Sequence, residues 1–177
     1  DMMTFAKQLS SAYMPISASA IRRDVYEAMI DQSASAGAFG HGYTYSGHPV
    51  ACAVALRVLE IYDRDEIFDR ASTTGKYLQE QLSQFSSHPL VGEVRGSGLL
   101  AALELVPNKE LNHQFKDGKV GGVAQKMAQD NGLLIRTVAG SSIGICPPLI
   151  ITNNQIDELI DKLGDALDKT FQYCQTY

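Results

Sequence analysis

Three groups of residues in this chain carry chemistry that packing alone does not require. The first is Lys7, in Ala6-Lys7-Gln8-Leu9, at the end of an apolar stretch that begins at Met2. The second follows thirty-four residues later, a glycine- and hydroxyl-rich run, His41-Gly42-Tyr43-Thr44-Tyr45-Ser46-Gly47-His48-Pro49. The third is Ile135-Arg136, followed by Cys146-Pro147-Pro148-Leu149. An amine can condense with an aldehyde to form a Schiff base. A loop with free N–H groups and a threonine hydroxyl can hold a phosphate. A guanidinium fork can hold a carboxylate. Aldehyde, phosphate and carboxylate together point to pyridoxal phosphate working on an amino or keto acid.

Each group also has a plainer reading. A lysine at a strand end can be a surface charge. The Tyr43-Thr44 stretch can be a turn that starts a helix at Pro49, and Arg136 can belong to a surface ion pair. His41 and His48 lack cysteine or carboxylate companions at ligand spacing, so no metal site is expected and hydrogen bonds that shape the loop suit them better. Gly96-Ser97-Gly98-Leu99-Leu100-Ala101 has the spacing of a dinucleotide fingerprint, but the residues after it read as a strand where that motif needs a helix. A turn or bulge is the better use of those glycines.

The elements that would position these residues can be read from hydrophobic spacing. Met2 to Ala6 and Ile16 to Ile21 read as strands, and Asp24 to Ile30 as a short helix. Gln32 to Gly40 reads as a flexible loop. Pro49 suits the first turn of a helix, where its missing N–H costs nothing; that helix carries Ala53, Leu56, Leu59 and Ile61, with a break at Asp63 to Asp65. A second helical stretch runs from Ile67 to Phe85. Val91 to Arg95, Leu99 to Val106, Leu133 to Arg136 and Ile143 to Cys146 read as strands. Pro107 to Gly122 reads as a loop, and helical spacing runs from Val120 to Ala128. Thr152 and Gln155 have capping-box spacing ahead of a final amphipathic helix.

Composition bounds the rest. The chain has 177 residues, 45% hydrophobic and 20% charged, with net charge −5. That is a globular composition, with no basic footprint for nucleic acid and no apolar run of membrane-spanning length. Three widely spaced cysteines fit a reducing, cytoplasmic setting better than a disulfide framework. The chain starts at Asp1 on the approach to a strand, and it reads as a piece of a longer protein.

The segments around Lys7, His41 to Pro49 and Arg136, in that order, resemble class III aminotransferases, the pyridoxal-phosphate enzymes of fold type I. Within them the likeness is to omega-amino acid and amine:pyruvate transaminases. The resemblance implies an α/β fold, with residues 1–48 ending the large cofactor domain, 49–85 a connecting helical region and 86–177 a small α+β domain. It implies that Lys7 forms the Schiff base with pyridoxal 5'-phosphate and moves a proton during transfer. It implies that Tyr43 and Thr44 bind the cofactor phosphate on a loop that crosses a homodimer with shared active sites. Arg136 would be a mobile group that pairs with a substrate carboxylate. The implied reaction moves an amino group from an amine or omega-amino acid to a keto acid, pyruvate. Alternatives are an ornithine, 4-aminobutyrate or diamino-acid aminotransferase, a glutamate semialdehyde aminomutase, or a non-catalytic interaction domain. The 177 residues alone are expected to be inactive.

Overall fold

The computed structural model describes residues 1–109 and 119–176. Most of the loop expected between Pro107 and Gly122, residues 110–118, lies outside the described residues. The chain divides into two compact units, Asp1–Glu66 and Ile67–Tyr177.

In the first unit, β1 (Met2–Phe5) and β2 (Ala18–Ile21) form an antiparallel ribbon with Met2 opposite Ile21 and Phe5 opposite Ala18. All eight residues are exposed. Helix α1 covers Arg23–Ala36 and is longer than the sequence implied. Ser33 and Ser35 do not end it, because their hydroxyls donate back to the carbonyls of Ile30 and Gln32, at 2.7 and 3.1 Å. Those bonds absorb the polar groups that would otherwise compete with the helix. The helix ends at Gly37, with φ +86°, a conformation glycine adopts without steric cost.

Helix α2 covers Pro49–Arg64, with Pro49 in its first turn and His48 as the N-cap. Its buried face is Ala51, Ala55, Val58 and Tyr62, spaced as one side of a helix. The sequence pointed instead to Ala53, Leu56, Leu59 and Ile61. Apolar residues surround this helix, so periodicity alone could not choose between two stripes, and the stripe with alanines takes the closer contact. The chain leaves the helix at Asp65 and Glu66, the latter at φ +50°.

The second unit opens with α3 (Ile67–Ser83) and a short 3-10 turn, Gln84–Ser87. Four antiparallel strands follow: β3 (Val91–Ser97), β4 (Leu100–Leu105), β5 (Arg136–Val138) and β6 (Ser142–Ile145), in the order β3-β4-β6-β5. Helix α4 (Val120–Asp130) precedes β5, and α5 (Asn153–Thr176) closes the unit. Ala101, Leu103 and Leu105 of β4 alternate inward. They join Leu78 and Leu82 of α3, Ala124 of α4, Ile143 and Ile145 of β6, and Ile156, Ile160, Leu163 and Leu167 of α5 in one core. Helix α3 therefore contributes to the same core as the strands that follow it.

Gly96 and Gly98 sit in the β3–β4 hairpin, Gly98 at φ +56°. A Cβ on Gly75 of α3 would lie 2.5 Å from the Gly98 backbone, so only glycine permits that approach. Three contacts that join α3 and the turn after it to α5 and the loop just before it share one sequence offset. Arg70 donates to the Ile150 carbonyl, the Tyr77 hydroxyl bonds Asp157 at 2.6 Å, and His88 lies 3.2 Å from Asp168. Each joins residue i to residue i+80, so α3 and α5 run parallel. The expected capping box is present at the start of α5. Thr152 Oγ1 accepts from the Gln155 N–H at 3.3 Å, and Gln155 Oε1 accepts from the Thr152 N–H at 3.0 Å.

Candidate active site

Lys7 follows β1 directly and begins a 3-10 turn, Lys7–Leu9. Its φ is +54°, and Ser11 and Ala12 share the left-handed region at +47° and +65°. Strained non-glycine backbone of this kind clusters at functional sites because surrounding structure must hold it. The Lys7 side chain is exposed, and its amine has no hydrogen-bond or ion-pair partner among the described residues. Ser10, by contrast, is buried, with its hydroxyl donating to the Met14 carbonyl at 2.6 Å. The turn is thus anchored behind the lysine while the amine stays open.

The Tyr43–His48 segment is a pair of tight turns. The Ser46 N–H donates to the Tyr43 carbonyl at 2.9 Å and the His48 N–H to the Tyr45 carbonyl at 3.2 Å. The Tyr43 N–H donates to the Ser46 hydroxyl at 3.0 Å. The Thr44 hydroxyl and N–H have no partner among the described residues, and Thr44 is exposed. His48 caps α2, its Nδ1 accepting from the Ala51 N–H at 3.4 Å. The ring of His41 packs edge-on against Tyr43, centroids 5.5 Å apart. Both histidines therefore shape the loop, and no group of metal-ligating side chains occurs among the described residues. Tyr43, Tyr45 and His48 line a groove of about 680 Å³ whose other wall is Met14 to Ala18.

Arg136 belongs to the second unit. It opens β5, an edge strand, opposite Gly144 of β6. Its guanidinium has no hydrogen-bond or ion-pair partner among the described residues. It lines a groove of about 950 Å³ together with Ile135, Cys146, Pro147, Pro148 and Leu159. Lys162 lies on the same groove and is occupied by Glu158 at 2.6 Å.

Two contacts hold the β5–β6 hairpin beside Arg136. Gln125 of α4 accepts from both the Thr137 N–H and the Thr137 hydroxyl, at 3.1 and 2.8 Å. Glu104 of β4 accepts from the hydroxyls of Ser141, at 2.9 Å, and Ser142, and from Arg95 at 3.3 Å. Burial pushes the Glu104 carboxyl up, but the bonds from Ser142, Ser141 and Arg95 outweigh it and leave it below the ordinary carboxylate value. The sequence offered no sign of Glu104, whose serine partners lie 37 and 38 residues away.

The donors fit pyridoxal phosphate by their chemistry. An open primary amine on a strained turn suits an aldehyde, and the free hydroxyl and N–H of Thr44 suit a phosphate oxygen. A class of protein follows from these segments and their frame, and comparison with known proteins settles it. The chain belongs to the class-III aminotransferase family, whose model matches residues 1–167. That family depends on pyridoxal phosphate and has the fold-type-I architecture.

Among curated relatives, gamma aminobutyrate transaminase 1 of Solanum lycopersicum, named as mitochondrial, is 44% identical over 171 residues, covering 96% of this chain and 33% of that protein. The putrescine–pyruvate aminotransferase of Pseudomonas aeruginosa is 43% identical, covering 96% of this chain and 36% of that protein. The chain thus spans about a third of the length of the curated relatives it matches. Among solved structures, the omega transaminase from Pseudomonas jessenii in complex with PMP superposes with a TM-score of 0.92 at 41% identity, covering 99% of this chain and 39% of that one.

Proposed function

We propose that the protein carrying this chain is an aminotransferase that moves an amino group from an amine or omega-amino acid to a keto acid, with pyruvate as acceptor. The observation that carries this is Lys7: an open amine on a strained turn at a strand end, in a chain of the class-III family. Bound pyridoxal phosphate supplies the aldehyde that takes the amino group and the ring that accepts the electron pair left by proton loss. Lys7 holds the cofactor through Nζ and then moves the proton at the carbon bearing the nitrogen. The Thr44 hydroxyl and N–H bind the phosphate, and Tyr43 orders the loop that presents them. Arg136 pairs with the substrate carboxylate and turns away when the donor has none.

Residues 1–48 then end the large cofactor domain, 49–85 form the connecting region and 86–177 the small domain. The active form is a homodimer in which the Thr44 loop serves the partner's site. Cys52, Cys146 and Cys174 form no disulfide among the described residues, in keeping with a reducing compartment such as the cytoplasm. No helix among the described residues is long and apolar enough to cross a membrane.

Borohydride reduction of the holoenzyme followed by peptide mapping tests the assignment. The label is expected on Lys7; an active enzyme labelled on any other lysine overturns it. A second reading, 4-aminobutyrate as donor, is favoured by the tomato relative's name. Relative kcat/KM for 4-aminobutyrate and for a diamine, each with pyruvate, separates the two.

A further inference from the structure

The six residues from Lys7 to Ala12 contain three left-handed backbones, Lys7, Ser11 and Ala12, and no glycine. Each is disfavoured because its Cβ crowds a neighbouring carbonyl oxygen. Local hydrogen bonds hold part of this path, the Ser10 hydroxyl donating to the Met14 carbonyl at 2.6 Å and the Tyr13 N–H to the Ser10 carbonyl at 3.0 Å. The Ser10 N–H donates to the Lys7 carbonyl and the Ser11 N–H to the Gln8 carbonyl, each at 3.3 Å, near the long limit for an amide bond.

A further hold, from outside the turn, comes from α2. Tyr62 lies on its buried face, and its Oη is 3.0 Å from the Gln8 carbonyl, 3.0 Å from Gln8 Oε1 and 2.6 Å from Ser11 Oγ. A phenol has one proton to give. Given to either Gln8 oxygen, it leaves the phenol oxygen to accept from the Ser11 hydroxyl; given to Ser11 Oγ, it leaves the Ser11 proton for Gln8 Oε1 at 3.4 Å. In either arrangement the one hydroxyl from α2 lies within hydrogen-bond distance of Gln8, the residue next to Lys7, and of Ser11, the first of the two later strained residues. A phenylalanine would fill the same space, but only the hydroxyl reaches the turn.

We infer that Tyr62 is a positioning residue for Lys7: its hydroxyl fixes the strained turn that sets where the lysine amine stands. This rests on the reading above, that Lys7 holds the cofactor. A reacting amine loses rate steeply with small displacement, and a distant residue that fixes the backbone contributes through that geometry.

The test compares the wild-type holoenzyme with Tyr62→Phe and Ser11→Ala, the first keeping the buried ring and the second a half-buried site. Three readouts are needed: the lysine labelled by borohydride, the rate of cofactor loss on dialysis, and the pH midpoint of the bound cofactor's visible absorption. The label is expected on Lys7 throughout. Cofactor loss is expected to quicken roughly fivefold in Tyr62→Phe, the worth of one hydrogen bond, and less in Ser11→Ala. The pH midpoint should move by up to about 0.7 unit, the same factor read as an equilibrium, while kcat falls more than KM rises. The double variant should be no worse than Tyr62→Phe, because both changes break one contact. A label on Lys7 with retention and midpoint unchanged, and only the melting temperature lowered, overturns the inference and leaves the Lys7 assignment standing. A wild-type label on another lysine overturns both. Should Tyr62→Phe fail to fold, Ser11→Ala carries the same comparison, and the same two outcomes decide it.

Discussion

Helix α4 opens with two adjacent glycines whose surroundings give opposite outcomes for one substitution. Gly122 meets nothing within 4 Å of where a Cβ would stand. Gly121 would place its Cβ 2.5 Å from the Gly140 carbonyl oxygen and 2.5 Å from Thr137 Cγ2. Its N–H also donates to that Gly140 carbonyl at 3.1 Å, satisfying an open donor of the first helical turn. Gly122→Ala should stabilise by a few tenths to about 1 kcal/mol, the ordinary helix preference for alanine. Gly121→Ala gains the same preference but must push the β5–β6 hairpin away, and overpacking of this kind costs about 1–3 kcal/mol. The shared preference cancels, so the two variants should separate by about 1–3 kcal/mol. Urea unfolding with an unchanged slope measures the difference. The displaced hairpin begins at Arg136, so Gly121→Ala should also raise KM for the keto acid, and Gly122→Ala should not. Equal shifts in stability for both variants would refute the claim that α4 seats the hairpin through a glycine contact.

Arg136→Ala should weaken carboxylate-bearing substrates, pyruvate included, by about ten- to a hundredfold in kcat/KM, the worth of a charge-assisted pair. Amines without a carboxylate should change little, and equal losses would make Arg136 structural. Mixing a Lys7→Ala holoenzyme with a Thr44→Ala one should restore part of the activity, since one site of the mixed dimer then carries both defects and the other neither. No recovery after proven subunit exchange argues against a shared site. Glu104 titrates lower when folded than its unfolded value near ~4.3. Its contribution is full above that pH and is lost as pH falls through the folded value. Glu104→Gln should thus lower stability at neutral pH and flatten its decline below about pH 4.3, read from urea midpoints against pH.

The legible parts of this chain were those fixed by local chemistry. Thr152 and Gln155 cap α5 as their spacing demands, Pro49 opens α2, and the β3–β4 hairpin turns at Gly98, while Gly96 stays in β3 opposite Ala101. Lys7, Thr44 and Arg136 were singled out by the family resemblance of their segments more than by residue type alone, and each side chain is without a partner among the described residues. The harder parts depended on choices that spacing leaves open. Ser33 and Ser35 resemble a loop until their hydroxyls turn back into α1. Helix α2 has two apolar stripes, and only packing selects the one with Ala51 and Ala55. Tyr62 and Glu104 act across tens of residues, so nothing near them in the chain announces what they hold.

The constant offset of 80 residues between α3 and α5 has a consequence for how the second unit is made. Leu78 and Leu82 of α3 are fully buried, and their core is completed by Ile156, Ile160, Leu163 and Leu167. On a ribosome adding about 5–20 residues each second, α3 emerges roughly 4–16 s before the helix that closes over it. During that interval its apolar stripe has the β3–β4 hairpin as an early neighbour, docked where Gly75 meets Gly98. The nascent unit therefore passes through a stage with an open hydrophobic flank, a surface for holding chaperones. A substitution that slows formation of the β3–β4 hairpin would prolong that stage and lower the yield of folded protein without touching any residue of the active site.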